Sequence, residues 1–248
     1  MKTKLNKLKN YLLKLIYPNH IKCIFCGDEL NQNSYNDICE VCLKELPYIT
    51  TCCGKCGNPI HEDDTGVCGS CKITNYDFVW ARAVFEYKDK VLTSVHKFKY
   101  SGGKYLFSPF AKLIATKYVT ENLFADVVTF VPMFKTKEKK RGYNQAKLLA
   151  EEFCKLTKLE CVEIIEKVVD NSAQASLNFK ERRENVKDIF KLKTELKYKI
   201  KGKSVLLIDD IFTTGATANE ICKILLNAGA DKCYVLTLAH TNFKDIKS

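Results

Sequence analysis

The chain has few of the residues that interrupt or staple a polypeptide. Of its 248 residues only 5 are Pro, 11 are Gly and one is Trp, which excludes collagen-like and Pro/Gly-rich disordered compositions. No GxxxxGK[ST] match occurs, so a Walker A nucleotide loop is excluded; no GxGxxG occurs, so the dinucleotide-binding turn is excluded too. Apolar runs are short: Tyr11-Leu12-Leu13 is interrupted by Lys14, far below the roughly 20 residues a membrane-spanning helix needs. The expectation is a cytoplasmic protein without stable membrane insertion. No low-complexity tract appears, and the paired cysteine motifs are the single repeated feature. What is present suffices for an ordinary core: 46% hydrophobic residues, including 14 Phe and 12 Tyr.

Three regions follow from the texture. In residues 1–20, Leu5, Leu8, Leu12 and Leu15 keep helical spacing, with lysines largely elsewhere around the turn and Pro18 ending the pattern. This predicts a basic amphipathic helix. A membrane surface or DNA would suit it, but packing against its own protein is the simpler assignment. Residues 21–75 are rich in cysteine and turns, and too short to build a sufficient core unaided. Residues 78–242 alternate strand-like and helical patterns. Strands are predicted at Phe78–Tyr87, Asp126–Val131, Val205–Ile208 and Cys233–Ala239. Helices are predicted at Val91–Lys99, Leu106–Val119, Asn144–Lys155 and about residues 216–228. That alternation predicts an α/β domain around a mostly parallel central sheet.

Nine of the 13 cysteines crowd into residues 23–71. Cys23-x-x-Cys26 precedes Cys39-x-x-Cys42, and Cys53-x-x-Cys56 precedes Cys68-x-x-Cys71. Each set offers four thiolates, the number a closed tetrahedral zinc site takes. Gly27 and Gly57 directly follow their pairs, where a tight turn favours positive φ. Two structural zinc sites are therefore expected, rather than the disulfides of a secreted protein. The register stays open at one point, since Cys52 adjoins Cys53 and His61 lies in the second loop. Cys53 is preferred because Cys53-x-x-Cys56-Gly57 repeats the first pattern. Sequential pairing is preferred over interleaving because each loop length suits one ribbon. Cys154, Cys161, Cys222 and Cys233 sit in apolar-periodic stretches and read as small core hydrophobes.

The sharpest chemical feature is Val205-Leu206-Leu207-Ile208-Asp209-Asp210, followed by Ile211-Phe212-Thr213-Thr214-Gly215-Ala216-Thr217. An apolar run delivers two adjacent carboxylates to the carboxyl end of a parallel strand, where α/β folds bind ligands. Thr213 to Thr217 combine hydroxyls with a glycine and lead into a helix, which is how backbone N–H groups cradle a phosphate. Carboxylates suit vicinal hydroxyls rather than phosphate, so an acid pair beside a phosphate cradle describes a ribose 5-phosphate.

This segment resembles the motif by which type I phosphoribosyltransferases bind phosphoribosyl pyrophosphate (PRPP). From Cys23 to about His240 the chain resembles the ComF family of competence-associated proteins, in which a double zinc ribbon precedes such a domain. The resemblance also runs through His96-Lys97-Phe98-Lys99-Tyr100, Val131-Pro132, Arg141-Gly142-Tyr143-Asn144-Gln145-Ala146, and Gln174-Ala175-Ser176-Leu177 with Arg182 and Asn185. It implies a type I phosphoribosyltransferase fold behind a small N-terminal double zinc-ribbon module. It further implies that Asp209 and Asp210 hold the ribose hydroxyls directly or through Mg²⁺, and that Thr213, Thr214, Gly215, Ala216 and Thr217 bind the 5-phosphate. Val131-Pro132-Met133 occupies the place of the family's pyrophosphate loop, with Lys99 and Arg141 as candidates to neutralise pyrophosphate. Gln174 and Asn185 are assigned to ordering their own segment. Where several family members carry arginines before the Arg-Gly pair, this chain has Lys135, Lys137, Lys139 and Lys140, and lysine cannot fork onto phosphate.

The net charge of +11 is unevenly spread. Residues 1–22, 131–147 and 180–203 carry an excess of 17 positive charges between them, leaving the remainder net acidic. In residues 187–201, lysines alternate with Phe190, Leu192, Tyr198 and Ile200. This predicts either a lysine-protected edge strand or a track for a single-stranded backbone. The family resemblance implies a role in DNA uptake during natural transformation, with single-stranded DNA and competence-machinery proteins as partners. The competing readings are an active phosphoribosyltransferase of nucleobase salvage, and a nucleic-acid-binding module whose PRPP site is regulatory or vestigial.

Overall fold

The computed structural model describes residues 21–60, 66–100, 102–170 and 188–242. The basic helix expected over residues 1–20, and the positions of His61, Gln174, Arg182 and Asn185, lie outside them. The chain divides into two compact units, Met1–Leu46 and Pro47–Ser248.

In the first unit the turn after Cys23 closes with Gly27 at φ 83°. Helix α1 (Glu40–Glu45) begins where the Cys39 sulfur accepts the Cys42 N–H at 3.5 Å. Ile38 and Cys42 are fully buried. Among the described residues of this unit the buried apolar side chains are those of Cys23, Phe25, Ile38, Cys39, Cys42 and Leu46, few for an independent core.

The second unit opens with helix α2 (Gly69–Ile73) and strand β1 (Trp80–Glu86), followed by helix α3 (Asp89–Tyr100). After a 3₁₀ turn at Gly103–Leu106 come α4 (Phe107–Thr120), β2 (Val127–Phe130), α5 (Lys135–Arg141) and α6 (Gln145–Thr157). Short strands β3 (Glu160–Cys161), β4 (Ile165–Lys167) and β5 (Phe190–Leu192) lead to β6 (Ser204–Phe212), α7 (Ala216–Asn227) and β7 (Lys232–His240). The main sheet has the order β1-β7-β6-β2-β3 and is parallel throughout. Strands β4 and β5 form a separate antiparallel pair.

Both faces of the sheet are covered, which is why β2 and β6 read as apolar runs without alternation. Helices α4 and α6 pack together, against β1, β7, β2 and β6. The opposite face carries α7. There Val205, Leu207 and Val235 share one buried cluster with Ile221 and Leu225 of α7 and with Cys53 and Cys56. Because strand side chains alternate, Asp209 continues the row of Val205 and Leu207, and Asp210 the row of Leu206 and Ile208.

Two predicted elements differ from what is observed. The apolar run was expected to stop before the acids, but β6 continues through them to Phe212. β7 keeps pairing that far, with Asp209 opposite Thr237 and Phe212 opposite His240, whereas the pairing of β2 ends at Phe130 and Ile208. The acids thus sit where one neighbour has ended and the other has not. Nor does the alternating pattern within residues 187–201 form a single strand. Pairing with β4 lasts for three residues, then Thr194–Lys199 turns as a 3₁₀ helix, with Phe190 and Ile200 buried.

Candidate functional site

The four sulfurs of Cys23, Cys26, Cys39 and Cys42 lie within 4.8 Å of one another, as do those of Cys53, Cys56, Cys68 and Cys71. The thiol that joins the second set is Cys53, and the sets are sequential. A cage of buried thiols fits a dication on chemical grounds, because the thiols alone resist ionising together. In the second set the side chain of Cys56 holds the Cys53 thiol down at about 4, and reciprocally drives its own far above the ordinary range. In the first, burial opposes ionisation of Cys23, yet backbone hydrogen bonds bring it to about 7, while burial lifts Cys42 to about 11. Both sets fit structural zinc, four protein sulfurs each, with no open position.

The acid pair is asymmetric. Lys99, at the end of α3, places its ammonium 3.1 Å from Asp210. Burial works against the lysine charge, but Asp210 outweighs it and holds Lys99 above its usual range. Asp209 feels the Lys99 charge only as a weaker influence. Burial, then the charge of Asp210, push its carboxyl up to about 8, although its Oδ1 accepts the Asp210 N–H at 2.8 Å. A carboxyl raised in the folded state stabilises most below the unfolded value near pH 4, and this contribution is lost as pH rises towards 8. Asp209→Asn keeps the Oδ1 acceptor and removes the penalty. We expect it to raise the melting temperature by several °C at pH 8 and little at pH 4, by calorimetry across pH; each kcal/mol is worth about 2–4 °C in a chain of this size.

The threonine-glycine bend follows directly. Gly215 has φ +74°, and a Cβ there would stand 2.6 Å from the Phe212 ring and 3.0 Å from that of Tyr76. No other residue type fits both constraints. The Thr214 hydroxyl accepts the Ala216 N–H at 3.2 Å and starts α7. Asp209, Thr213, Gly215 and Thr217 line one small cavity of about 80 Å³, into which the helix start directs its positive end.

A second cavity, of about 210 Å³, is lined by Lys99, Val131, Pro132, Met133, Arg141, Asp209 and Asp210, among others. The segments assigned to pyrophosphate and ribose from sequence, more than 60 residues apart, therefore meet. Arg141 donates to Gln145 Oε1 at 2.7 Å and lies over the Tyr100 ring, 4.7 Å from its centroid. Helix α6 is capped by Asn144, whose side chain also donates to the Val131 carbonyl at 3.0 Å, tying the Arg141 turn to the end of β2.

Residues 12–72 match the double zinc ribbon domain, and residues 139–246 match the phosphoribosyl transferase domain. The chain is 28% identical over 234 residues to competence protein F of Haemophilus influenzae, covering 89% of this chain and 97% of that protein. It is 28% identical to competence protein ComFC of Streptococcus pneumoniae, across 85% of this chain and 96% of that one. It is 27% identical to the DNA utilization protein YhgH of Escherichia coli K12, across 82% and 90%. The chain thus carries a double zinc ribbon ahead of a phosphoribosyl transferase domain and is similar over most of its length to these competence and DNA utilization proteins.

Several contributors to this site carry no mark of their own in the sequence. Gln145 is 1% exposed, lines the larger cavity and fixes Arg141; its place beside Asn144 in the quoted motif was the available signal. Helix α5 turns the lysine run into one turn and a half beside the cavity, which Lys137 lines. A neighbouring hollow of about 660 Å³ shares Lys99, Tyr100, Lys137 and Arg141 with it, and adds Lys140 and Tyr143. Of the rings lining this hollow, Tyr100 is 64% exposed and Tyr143 carries Lys104 over its face; elsewhere in the same stretch of chain Tyr105 is 56% exposed, with Lys97 over it. Within residues 187–201, Lys193 and Lys199 pair with Glu163 at 3.0 Å and Glu160 at 2.6 Å; Phe190 is buried, whereas Tyr198 is 68% exposed. Among the described residues no helix is long and apolar enough to cross a membrane.

Proposed function

We propose that this protein is a member of the ComF family and binds PRPP and single-stranded DNA in support of DNA uptake, working in the cytoplasm alongside competence-machinery proteins. The observation that carries the PRPP reading is that Asp209 lines both cavities. The smaller one offers Thr213, Gly215 and Thr217 to a 5-phosphate; the larger offers Lys99 and Arg141 to pyrophosphate. Asp209, lining both, and Asp210, lining the larger, are offered to the ribose hydroxyls. Magnesium carried with PRPP would supply positive charge to the pyrophosphate and the acid pair. The Asp209 carboxyl, only weakly compensated by Lys99, suits that. Binding of PRPP with magnesium, followed by titration calorimetry, tests the assignment, and a flat titration rejects it.

For the strand, the interleaved rings and cations around Tyr100, Tyr105 and Tyr143 support stacking of bases with backbone neutralisation. Labelled oligonucleotide binding is expected to fall with salt, log affinity dropping by about 0.7 per phosphate contact for each log unit of salt. Lys104→Ala lowers that slope by roughly one contact. An affinity indifferent to salt contradicts the strand reading.

A second reading, active phosphoribosyl transfer to a nucleobase in salvage, is favoured by one feature. The 660 Å³ hollow flanked by Tyr100 and Tyr143 adjoins the acid pair and has room for a planar acceptor. Pyrophosphate release from PRPP, measured with a panel of bases, separates a transferase from a binding protein.

A further inference from the structure

The second cysteine set and the phosphate loop are built as one object. Tyr76, three residues beyond α2, donates its phenol to the Thr214 carbonyl at 3.0 Å across 138 residues of sequence. Its ring is 4% exposed and closes the space beside Gly215. The next residue reinforces the link: the Asp77 N–H donates to Asn219 Oδ1 at 2.6 Å, and Asn219 Nδ2 returns to the Asp77 carboxylate at 3.0 Å. Asn219 lies in the first turn of α7, one turn beyond the loop.

The same segment is anchored at its other end by the metal knuckle. Lys55, inside the Cys53-x-x-Cys56 turn, donates to the Phe78 carbonyl, and its own carbonyl accepts the Ala81 N–H at 2.8 Å. Gly57 at φ +74° lies so close to β1 that a Cβ would stand 2.6 Å from the Ala81 oxygen. Rings fill the interval. Tyr76 stacks on Phe78 at 4.8 Å, Phe78 meets Phe212 edge-on at 6.0 Å, and Phe212 stacks on the buried His240 at 4.8 Å. Cys53, Cys56, Tyr76, Phe78, Phe212 and Ala216 belong to one buried cluster, with Cys68 and Cys71 packed against it.

We propose that the metal centre of Cys53, Cys56, Cys68 and Cys71 is a structural part of the phosphate loop, with Tyr76 as the positioning residue that joins them. The loop holds a glycine in left-handed conformation against two rings, and one of those rings is placed by the ribbon. When the thiolates close on zinc, the chain from Cys71 to Phe78 is fixed, and the Thr214 carbonyl has its donor. Without the metal, the segment that supplies Tyr76 loses its anchor. Thermodynamic reciprocity then requires that a ligand favouring the ordered loop slow the loss of zinc from this set. The ligand half of this statement rests on the PRPP reading above; the brace itself does not.

The test uses the full zinc-loaded chain and hydrogen exchange of the amides at 213–217. Tyr76→Phe is expected to raise their exchange about tenfold with two zinc ions still bound. Cys71→Ser is expected to do the same, whereas Cys42→Ser, in the other unit, leaves these amides as in the parent protein. PRPP with magnesium is expected to slow zinc transfer from the second set to a chromogenic chelator about tenfold in the parent, and much less in Tyr76→Phe. If Tyr76→Phe leaves the amides protected, or if Cys42→Ser and Cys71→Ser act alike, the proposal is overturned. Loop loosening in Tyr76→Phe without any effect of PRPP on the parent upholds the brace and removes the PRPP assignment instead.

Discussion

Asp209→Ala/Asp210→Ala is expected to weaken PRPP binding by a hundredfold or more while the chain stays folded. The magnitude follows from what the two carboxylates face. Asp209 lines both cavities and Asp210 the larger, and a charge-assisted hydrogen bond contributes about 1.5–3 kcal/mol. Above the raised Asp209 value of about 8 both groups are ionised, and losing two such acceptors for ribose hydroxyls exceeds a hundredfold, since about 1.4 kcal/mol is tenfold. Folding is spared because a weakly compensated carboxyl leaves Asp209, and because Lys99, freed of Asp210, can turn towards the open cavity. The single variants divide the effect. Asp209→Ala removes the buried carboxyl held up at about 8. Asp210→Ala also removes the ion pair at 3.1 Å that steers Lys99. Calorimetric titration of the three variants, with melting curves as the folding control, measures this; a double variant that binds like the parent would sink the assignment.

The second large effect concerns the metal. Freshly purified protein is expected to hold two zinc ions per chain, and a strong chelator to abolish the ordered structure of residues 21–46. The first set gathers its four sulfurs within 4.8 Å in a unit whose described residues bury few apolar side chains. Structural zinc contributes on the order of 10 kcal/mol or more in such small modules. That exceeds any stability the short helix α1 and two isolated bridges can give. Elemental analysis gives the stoichiometry, and limited proteolysis before and after chelation locates the loss. Protein that carries no zinc and resists cleavage equally in both states would refute the expectation.

The sequence allowed the parallel core and the metal cages to be read because both depend on local pattern. The apolar runs of β2 and β6 are what burial on both faces demands, and CxxC-Gly fixes its own turn. The extension of β6 through Asp209 and Asp210 was not legible. Strand length there is decided by β7, a partner more than twenty residues away, against the local preference of acids for a chain end. The alternation in residues 187–201 misled for the complementary reason. Period two is a necessary pattern for a strand, but the last backbone hydrogen bond to the β4 segment is the Lys193 N–H on the Ile164 carbonyl at 2.8 Å, and from Thr194 the backbone closes into a 3₁₀ turn. For the candidate site, adjacency in sequence singled out the acids and the threonine-glycine bend, and family likeness singled out Lys99 and Arg141 as candidates. Gln145 was marked only by its place beside Asn144 in the family-like motif, and Tyr76 carries no such mark. A buried amide bonded to a guanidinium, and a phenol bonded to a carbonyl 138 positions away, become functional only once the chain has folded.

The division of the chain at Leu46 and Pro47 assigns one cage to each unit. Each unit thus has its own four-thiol cage and its own buried residues, and emptying either cage need not bring down both. Heating or stepwise demetallation should accordingly trace two transitions instead of one, and a single melting temperature would average over two separate events. A preparation half-loaded with zinc would then be a mixture of differently incomplete molecules, each lacking a different part.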